Sequence, residues 1–378
     1  MILGVNGIRL VRKRSGVARA IEAILSSFAE FDQPFQDIRV YTPEPIDADV
    51  RLPPIARNIV LPTSLPPGLW EQLVLPRAHG PRDVLLCPSY VIPVLARCPT
   101  LLIHHGSYEG YAKAADVFSR WSRLKYRISY PLSAWRATMV CTVSEHSRRD
   151  MARFYHLAPE RIHVIPEGVD TRIFRRLDDQ ARLVEWRVRL FGRDAPFILY
   201  VGKPTKRRNL PNLLRAFKRL KSVEGLPHKL LLIGTSLPGT AFGKLVDEIG
   251  LSNDVVTLPY ASHDEIALAY NASTMLVYPS DYEGFGMPVL EAMACGTPVI
   301  ALNNTAFPEF AGGVAMLLPD ARVDTLVCGM LALLGDEAGR RRMSANGPVR
   351  AAAYDWRIIA RRYMDLLRSL AVRDAKSA

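Results

Sequence analysis

Residues 282–300 read YEGFGMPVLEAMACGTPVI. Pro288 suits the first helical position, where its missing N–H costs nothing. Val289, Leu290, Ala292, Met293 and Ala294 are good helix content, and Gly296 fits a left-handed stop just past the end. Thr297-Pro298 closes the element, and residues 299–302 read as a buried strand. The helix start would present N–H groups and a positive dipole end, and Gly284 and Gly286 would let a ligand approach the backbone closely. A phosphate fits such a place. Glu283 and Glu291 would then accept from hydroxyl groups on either side of it, since ionised carboxylates are acceptors only. The alternative is that both acids simply complement the helix dipole. Spacing alone leaves both readings open.

At 378 residues the chain is too long for one small core, and two domains are expected. Its 49% hydrophobic and 23% charged residues are those of a globular protein. Cys87, Cys98, Cys141, Cys295 and Cys328 are scattered, with no CxxC and no zinc-ligand spacing. That suits a reducing compartment. The opening residues are interrupted too soon for a signal peptide, and no apolar run reaches the ~18 residues of a membrane span. A cytoplasmic protein is expected. A net charge of +12 implies an anionic partner. A membrane surface and phosphorylated substrates qualify better than nucleic acid, because the basic residues form no tract and no nucleic-acid motif occurs.

Short apolar runs alternate with helical stretches along the whole chain. Strands are expected at 38–41, 84–87, 101–104, 139–143 and 162–165, then at 197–201, 229–233, 255–258, 275–278 and 298–302. Helical periodicity marks 211–221, 241–249, 264–270 and 325–334. Two rounds of strand–helix alternation predict two parallel-sheet α/β domains, with ligands outside the carboxyl ends of the strands. The expected divisions are 1–175, a linker at 176–195 where strand patterning lapses, 196–355, and a terminal helix and tail at 356–378. That last helix carries Trp356, Ile359, Tyr363, Leu366, Leu367 and Leu370 on one face.

The stretch 279–302, PSDYEGFGMPVLEAMACGTPVIAL, resembles the E-x7-E region of retaining GT-B glycosyltransferases of family 4. The likeness continues through YVGKPTKRRNLPNLLRAF (200–217), LLLIG (230–234), VCTVSEHSRRDMARFYHLAPERIHVIPEGVDTRIF (140–174), SGVARAIEAIL (15–25) and FPEFAGGVAMLLP (307–319). The resemblance implies a GT-B architecture: two Rossmann-like domains facing across a cleft, with the C-terminal helix returning to the N-terminal domain. It implies that Glu291 holds the donor ribose and Glu283 the transferred sugar, with backbone near Phe285, Gly286 and Met287 cradling the diphosphate. Arg207, then Arg208, would balance phosphate charge in the loop after Gly202; arginine here replaces the family's lysine in Arg-Lys-Asn and adds a fork suited to phosphate. Lys203 and Lys206 are close by and read equally as solvated surface. Gly16 matches the glycine loop near donor phosphate and acceptor, with Ala18 in place of a second glycine. His105 matches a histidine that faces the donor sugar, with Gly106 where the family often has aspartate and His104 as its neighbour. Tyr260 would lie near the base, after Pro259 in place of the usual glycine. Glu167 stands where asparagine is commoner.

The implied activity is sugar transfer with retention, from a nucleoside-diphosphate sugar (leaning to GDP-mannose) to a glycan or lipid-linked acceptor in polysaccharide synthesis. No cofactor or metal is implied. Two other readings stay open: an epimerase or phosphorylase on the same fold, and a non-catalytic sugar-nucleotide-binding protein. Val117, Phe118, Trp121, Leu124 and Ile128 further suggest one face of a helix, opposite Arg120, Arg123 and Arg127 and ended by Pro131. A basic amphipathic helix with aromatics reads as an element for an anionic membrane surface, at the inner face of the cell membrane. The competing reading is a core-packed helix with a solvated basic face.

Overall fold

Strands β1 Ile2–Asn6, β2 Asp37–Thr42, β3 Ala56–Val60, β4 Val84–Cys87, β5 Thr100–His104, β6 Met139–Thr142 and β7 Ile162–Val164 pair in the order β3-β2-β1-β4-β5-β6-β7. Strands β8 Phe197–Val201, β9 Lys229–Ile233, β10 Val255–Leu258, β11 Met275–Tyr278, β12 Val299–Leu302 and β13 Met316–Leu318 pair as β10-β9-β8-β11-β12-β13. All described strand pairs are parallel. The computed structural model of the chain describes residues 1–11, 16–32, 34–80 and 83–377, without the side chains of 112, 116 and 372–377. Both sheets have the doubly wound order in which the chain reverses direction beside its first strand, between β1 and β4 and between β8 and β11.

Ten strands match the expected segments to within a residue. Three more, β1, β3 and β13, were not among them. Gly4 interrupts the apolar run of β1. The outer strand β3 is half exposed, and β13 has only three residues. Such segments lack the continuous apolar signature of a strand covered on both faces. Strand β6 stops at Thr142 because Ser144 caps the following helix Glu145–Tyr155, its Oγ accepting from the Ser147 N–H at 3.1 Å.

The chain divides into two units, Met1–Gly168 with Trp356–Ala378, and Val169–Asp355. The first division thus falls after Gly168, where 175 was expected. Residues 176–195, expected as a linker, carry the helix Gln180–Phe191 inside the second unit, capped by Asp179 and stopped at Gly192. Strand patterning lapses there because the segment is helical. Its charge lies on the exposed face, while Leu183 and Trp186 are buried and Trp186 meets Phe197 of β8 with ring centroids 5.9 Å apart.

The last helix, Trp356–Ser377, belongs to the first unit. Tyr363, Met364, Leu367 and Leu370 are buried, Leu366 only partly. Arg362 donates to the Val164 carbonyl at 2.8 Å, and the Arg361 guanidinium lies 4.8 Å from the Phe31 ring centroid. The helix expected near 117–128 runs from Arg120 to Arg136. Val117 and Phe118 precede it, and Pro131 lies inside it instead of ending it. Proline removes one N–H and crowds the carbonyl one turn back. The helix continues because Tyr130, Ser133 and Ala134 beyond and beside it are buried.

Leu367→Ala should destabilise the first unit by about 2–5 kcal/mol, as expected for an emptied leucine site in a close-packed core. Denaturant unfolding monitored by circular dichroism measures it.

Candidate functional site

The second unit gathers its polar side chains at the carboxyl ends of β8 and β11, where the sheet order reverses. Beyond β8 a short turn, Lys206–Arg208, presents two arginines, and Asn209 follows in the left-handed region (φ 51°). Beyond β11 the loop carries Ser280, Asp281 and Glu283 into the helix Met287–Ala294. This helix begins one residue before Pro288, so Pro288 takes its second position. Its N–H is still not needed, because the first turn has no intrahelical acceptor.

The two loops are stitched together. The Asp281 N–H donates to the Arg207 carbonyl at 2.8 Å, and Asn209 Nδ2 donates to Asp281 Oδ1 at 2.9 Å and to the Pro279 carbonyl at 3.0 Å. Asn304, just past β12, donates to the carbonyls of Ser280 and Asp281 at 3.2 Å each. Within this frame four donors reach one oxygen of Glu283, Oε1. They are Arg207 Nη1 at 2.7 Å, Arg208 Nε at 3.1 Å, Tyr278 Oη at 2.9 Å and Ser280 Oγ at 3.0 Å. Arg207 also donates to the Tyr282 carbonyl, and Arg208 to the Lys203 carbonyl at 3.1 Å. The Arg208 guanidinium sits 5.6 Å from the Tyr278 ring centroid, within cation–π range. Burial alone would raise the Glu283 carboxyl; the charges of Arg207 and Arg208, with the hydrogen bonds from Arg207 and Tyr278, outweigh it and hold the pKa down to about 2. Burial works against the charge of Arg207 and Arg208 too, yet their partners leave both guanidiniums raised.

Two glycines make room for this arrangement. Gly202 has a φ of 141°, and a Cβ there would run into the Arg208 guanidinium. Gly286, the residue before the helix, has a φ of 110°, and a Cβ there would come within 2.6 Å of the Phe307 ring. Glu291 is buried on the same helix, and Tyr270 Oη donates to its Oε2 at 3.0 Å. Phe285 stacks on Phe310 with centroids 4.5 Å apart, so its ring is packed and only its backbone is available to a ligand. Met287 opens the helix. Lys203, Lys206 and Tyr260 are exposed, the last 64% accessible in the loop after β10. Sequence reasoning missed Tyr278, Ser280, Asn209 and Tyr270, which orient the acids and arginines. A tyrosine closing a buried strand was the available signal, because its hydroxyl needs a partner.

His105 and Gly16 lie in the first unit. Gly16 opens the helix Gly16–Phe28, and Ser15, quoted with it, lies outside the described residues. His105 follows β5. Its Nδ1 is 2.6 Å from Glu167 Oε1 and its Nε2 is 2.9 Å from the carbonyl of Pro88, just beyond β4. Both side chains are buried, at 7% and 8% exposure. Burial pulls the imidazole pKa down, but the charge and hydrogen bond of Glu167, helped by the Pro88 carbonyl, carry it above the ordinary value. Both ring nitrogens face oxygen acceptors, an arrangement that favours the protonated ring. Arg9 opposes that charge, and the Tyr90 ring lies 5.6 Å away. His104 points elsewhere: Tyr155 Oη lies 2.9 Å from its Nε2, and burial followed by the neighbouring His105 charge pushes its pKa down to about 3. Among the described residues no three His, Cys, Asp or Glu side chains gather as a metal site.

Two pH dependences follow from these pairs. Glu283→Gln strands two largely enclosed guanidiniums and should destabilise the second unit by about 3 kcal/mol at neutral pH. The gap from wild type should close as pH falls from about 4.5 toward about 2. Glu167→Gln should lower the His105 pKa. Its stability deficit should be complete below about pH 6.5 and vanish as pH rises through the raised wild-type value. Urea unfolding across pH measures the first, and imidazole NMR titration with the same unfolding series measures the second.

Residues 17–173 match the family model Glycosyltransferase Family 4, and residues 185–350 match Glycosyl transferases group 1. The chain is 28% identical over 221 residues to O-antigen chain mannosyltransferase B of Escherichia coli, covering 58% of each chain. It is 32% identical over 223 residues to MMP alpha-(1->4)-mannosyltransferase of Mycolicibacterium hassiacum, covering 58% of this chain and 51% of that protein. The matched region thus spans about half the length of these curated relatives. Among solved structures, sucrose-phosphate synthase from Thermosynechococcus elongatus superposes with a TM-score of 0.80 at 22% identity, covering 98% of this chain and 99% of that one. Anabaena HepE, solved with UDP and glucose, superposes at 0.77 and 17% identity over 97% and 99%. These likenesses establish a shared fold. With two parallel α/β sheets of doubly wound order and both halves matching glycosyltransferase families, the chain belongs to the GT-B glycosyltransferases of family 4.

Proposed function

We propose that the protein is a retaining hexosyltransferase that moves a sugar, with mannose favoured, from a nucleoside-diphosphate sugar to a glycan or lipid-linked acceptor in polysaccharide synthesis. The observation that carries this reading is the convergence of Arg207, Arg208, Tyr278 and Ser280 on one oxygen of Glu283, at the point where the sheet order reverses. Each guanidinium has five N–H donors in a fork. It can therefore keep Glu283 with one edge and meet a phosphate oxygen with another. Glu283 Oε2 would accept from a hydroxyl of the transferred sugar, while Glu291, oriented by Tyr270, would accept from the ribose. The backbone about Gly286 and Met287 would take the diphosphate at the positive end of the helix. The relatives named as mannosyltransferases favour mannose, and the UDP bound to HepE supports a nucleoside diphosphate in general.

In the reaction, the bond between the sugar anomeric carbon and the phosphate oxygen breaks, and the acceptor oxygen bonds to that carbon on the same face. The acceptor proton passes to the departing phosphate oxygen. Arg207 and Arg208 stabilise the charge that grows there; removing one such donor typically costs about 3–4 kcal/mol of barrier. His105, held in place by Glu167, is assigned to the transferred sugar, and Gly16 to the close approach of backbone to donor and acceptor. An acceptor carried on a lipid would set the reaction at the inner face of the cell membrane.

Glu291→Ala should weaken nucleoside-diphosphate binding about tenfold to a hundredfold, the value of a hydrogen bond to a charged group. Glu283→Ala frees the arginines from their internal partner, so it should keep diphosphate affinity and lose turnover. Calorimetry with GDP and UDP, beside product analysis with GDP-mannose, separates the two. Equal loss of diphosphate affinity in both variants would reverse the assignment, and an inverted product anomer would refute retention.

A further inference from the structure

Half of the exposed large apolar side chains among the described residues lie on three neighbouring segments of the first unit. The first segment is the helix Arg120–Arg136, where Trp121, Leu124, Ile128, Leu132 and Trp135 are 81%, 52%, 60%, 40% and 50% exposed. Their spacing of three and four residues makes one stripe along the helix. The opposite side holds Tyr130, Ser133 and Ala134, which are buried. This helix therefore turns its apolar face outward, the reverse of a helix seated on a core.

The second segment supplies Leu69 and Leu73, and the third supplies Leu95, which is 66% exposed. Hydrogen bonds and close approach tie the three together. Arg136 donates to the Val94 carbonyl at 3.3 Å, and Gln72 bonds both Ile92 and Val94. Lys125 Nζ lies 3.2 Å from where a Cβ on Gly68 would stand. Of the five tryptophans, Trp70, Trp186 and Trp356 are buried; the exposed pair, Trp121 and Trp135, both belong to the stripe.

Charge selects the occupant. Arg120 and Arg127 flank the stripe on one side, and Lys125 and Arg136 on the other, all exposed. No aspartate or glutamate occurs from Ser119 to Ala137. A second copy of this chain would bring the same cations against these and be repelled. An anionic bilayer supplies apolar depth for the leucines, an interfacial layer suited to tryptophan, and phosphates for the cations. Among the described residues no helix is long and apolar enough to cross a membrane, so such attachment would be lateral.

We propose that these three segments form a docking surface for an anionic phospholipid bilayer, with the helix Arg120–Arg136 lying in the interface plane. The proposal is independent of the donor assignment. Flotation of the full chain with vesicles of equal parts phosphatidylglycerol and phosphatidylcholine, against phosphatidylcholine alone, tests it. The protein should float with the anionic vesicles, and its exposed tryptophan emission should shift to the blue. Trp121→Ser with Trp135→Ser, and separately Arg120→Glu with Arg127→Glu, should each weaken partitioning at least about tenfold. Arg341→Glu with Arg342→Glu, an equal charge change on an exposed helix of the second unit, should leave it unchanged. Equal flotation with neutral vesicles, loss in the Arg341/Arg342 control matching that of the docking variants, or a dimer dissolved by the tryptophan substitutions would overturn the proposal. Donor hydrolysis in vesicle-free samples of the same variants reports separately on the enzymatic reading.

Discussion

The second unit is organised around a buried negative charge that must be neutralised. A carboxylate as enclosed as that of Glu283 costs several kcal/mol in desolvation unless it is paired and fully hydrogen-bonded. Two guanidiniums, a phenol and a hydroxyl do this at a single oxygen. The pairing is available because β8 and β11 are neighbours in the sheet, so the loops that follow them emerge side by side. Asn209, Asp281 and Asn304 then lock those loops to each other. The locked loops keep both guanidiniums beside Glu283, where the proposed stabilisation of a leaving phosphate would need them.

The first unit solves the same problem with different residues. The β5 strand delivers His105 to a position where the carbonyl after β4 and the carboxylate after β7 each accept from one ring nitrogen. One histidine later or earlier along the chain would not serve: His104 sits in the strand itself, walled by Tyr90, Tyr130 and Tyr155, and burial keeps it neutral. Two adjacent histidines thus have their pKa values moved in opposite directions, decided by whether a carboxylate lies within reach. Glu167 gives this chain a charged partner for His105.

The basic character of the chain has two physical expressions. Arg207 and Arg208 are only 20% and 16% exposed and are committed to a specific carboxylate, so salt would affect them less. The cations of the helix Arg120–Arg136 are spread over solvent-exposed surface beside uncovered tryptophan and leucine, where long-range attraction and salt screening both operate. A single net charge of +12 describes both and distinguishes neither.

Apolar runs bounded by glycine and proline were enough to find most strands, the helix after Gly286 and the doubly wound class, because period and turn chemistry are local properties. Glu283, Glu291 and the arginine pair were legible as a motif for the same reason. Their mutual contact was not: Arg207 and Glu283 are far apart in sequence and meet only through sheet order. The supporting Tyr278 and Tyr270 looked like core residues, because a hydroxyl's partner is a long-range fact. The helix at 120–136 is the clearest case. Alternating apolar and basic residues determined that it has two faces. Only the packing of Tyr130, Ser133 and Ala134 decided that the apolar one remains in water, since periodicity describes a surface and burial depends on what the rest of the chain brings to cover it.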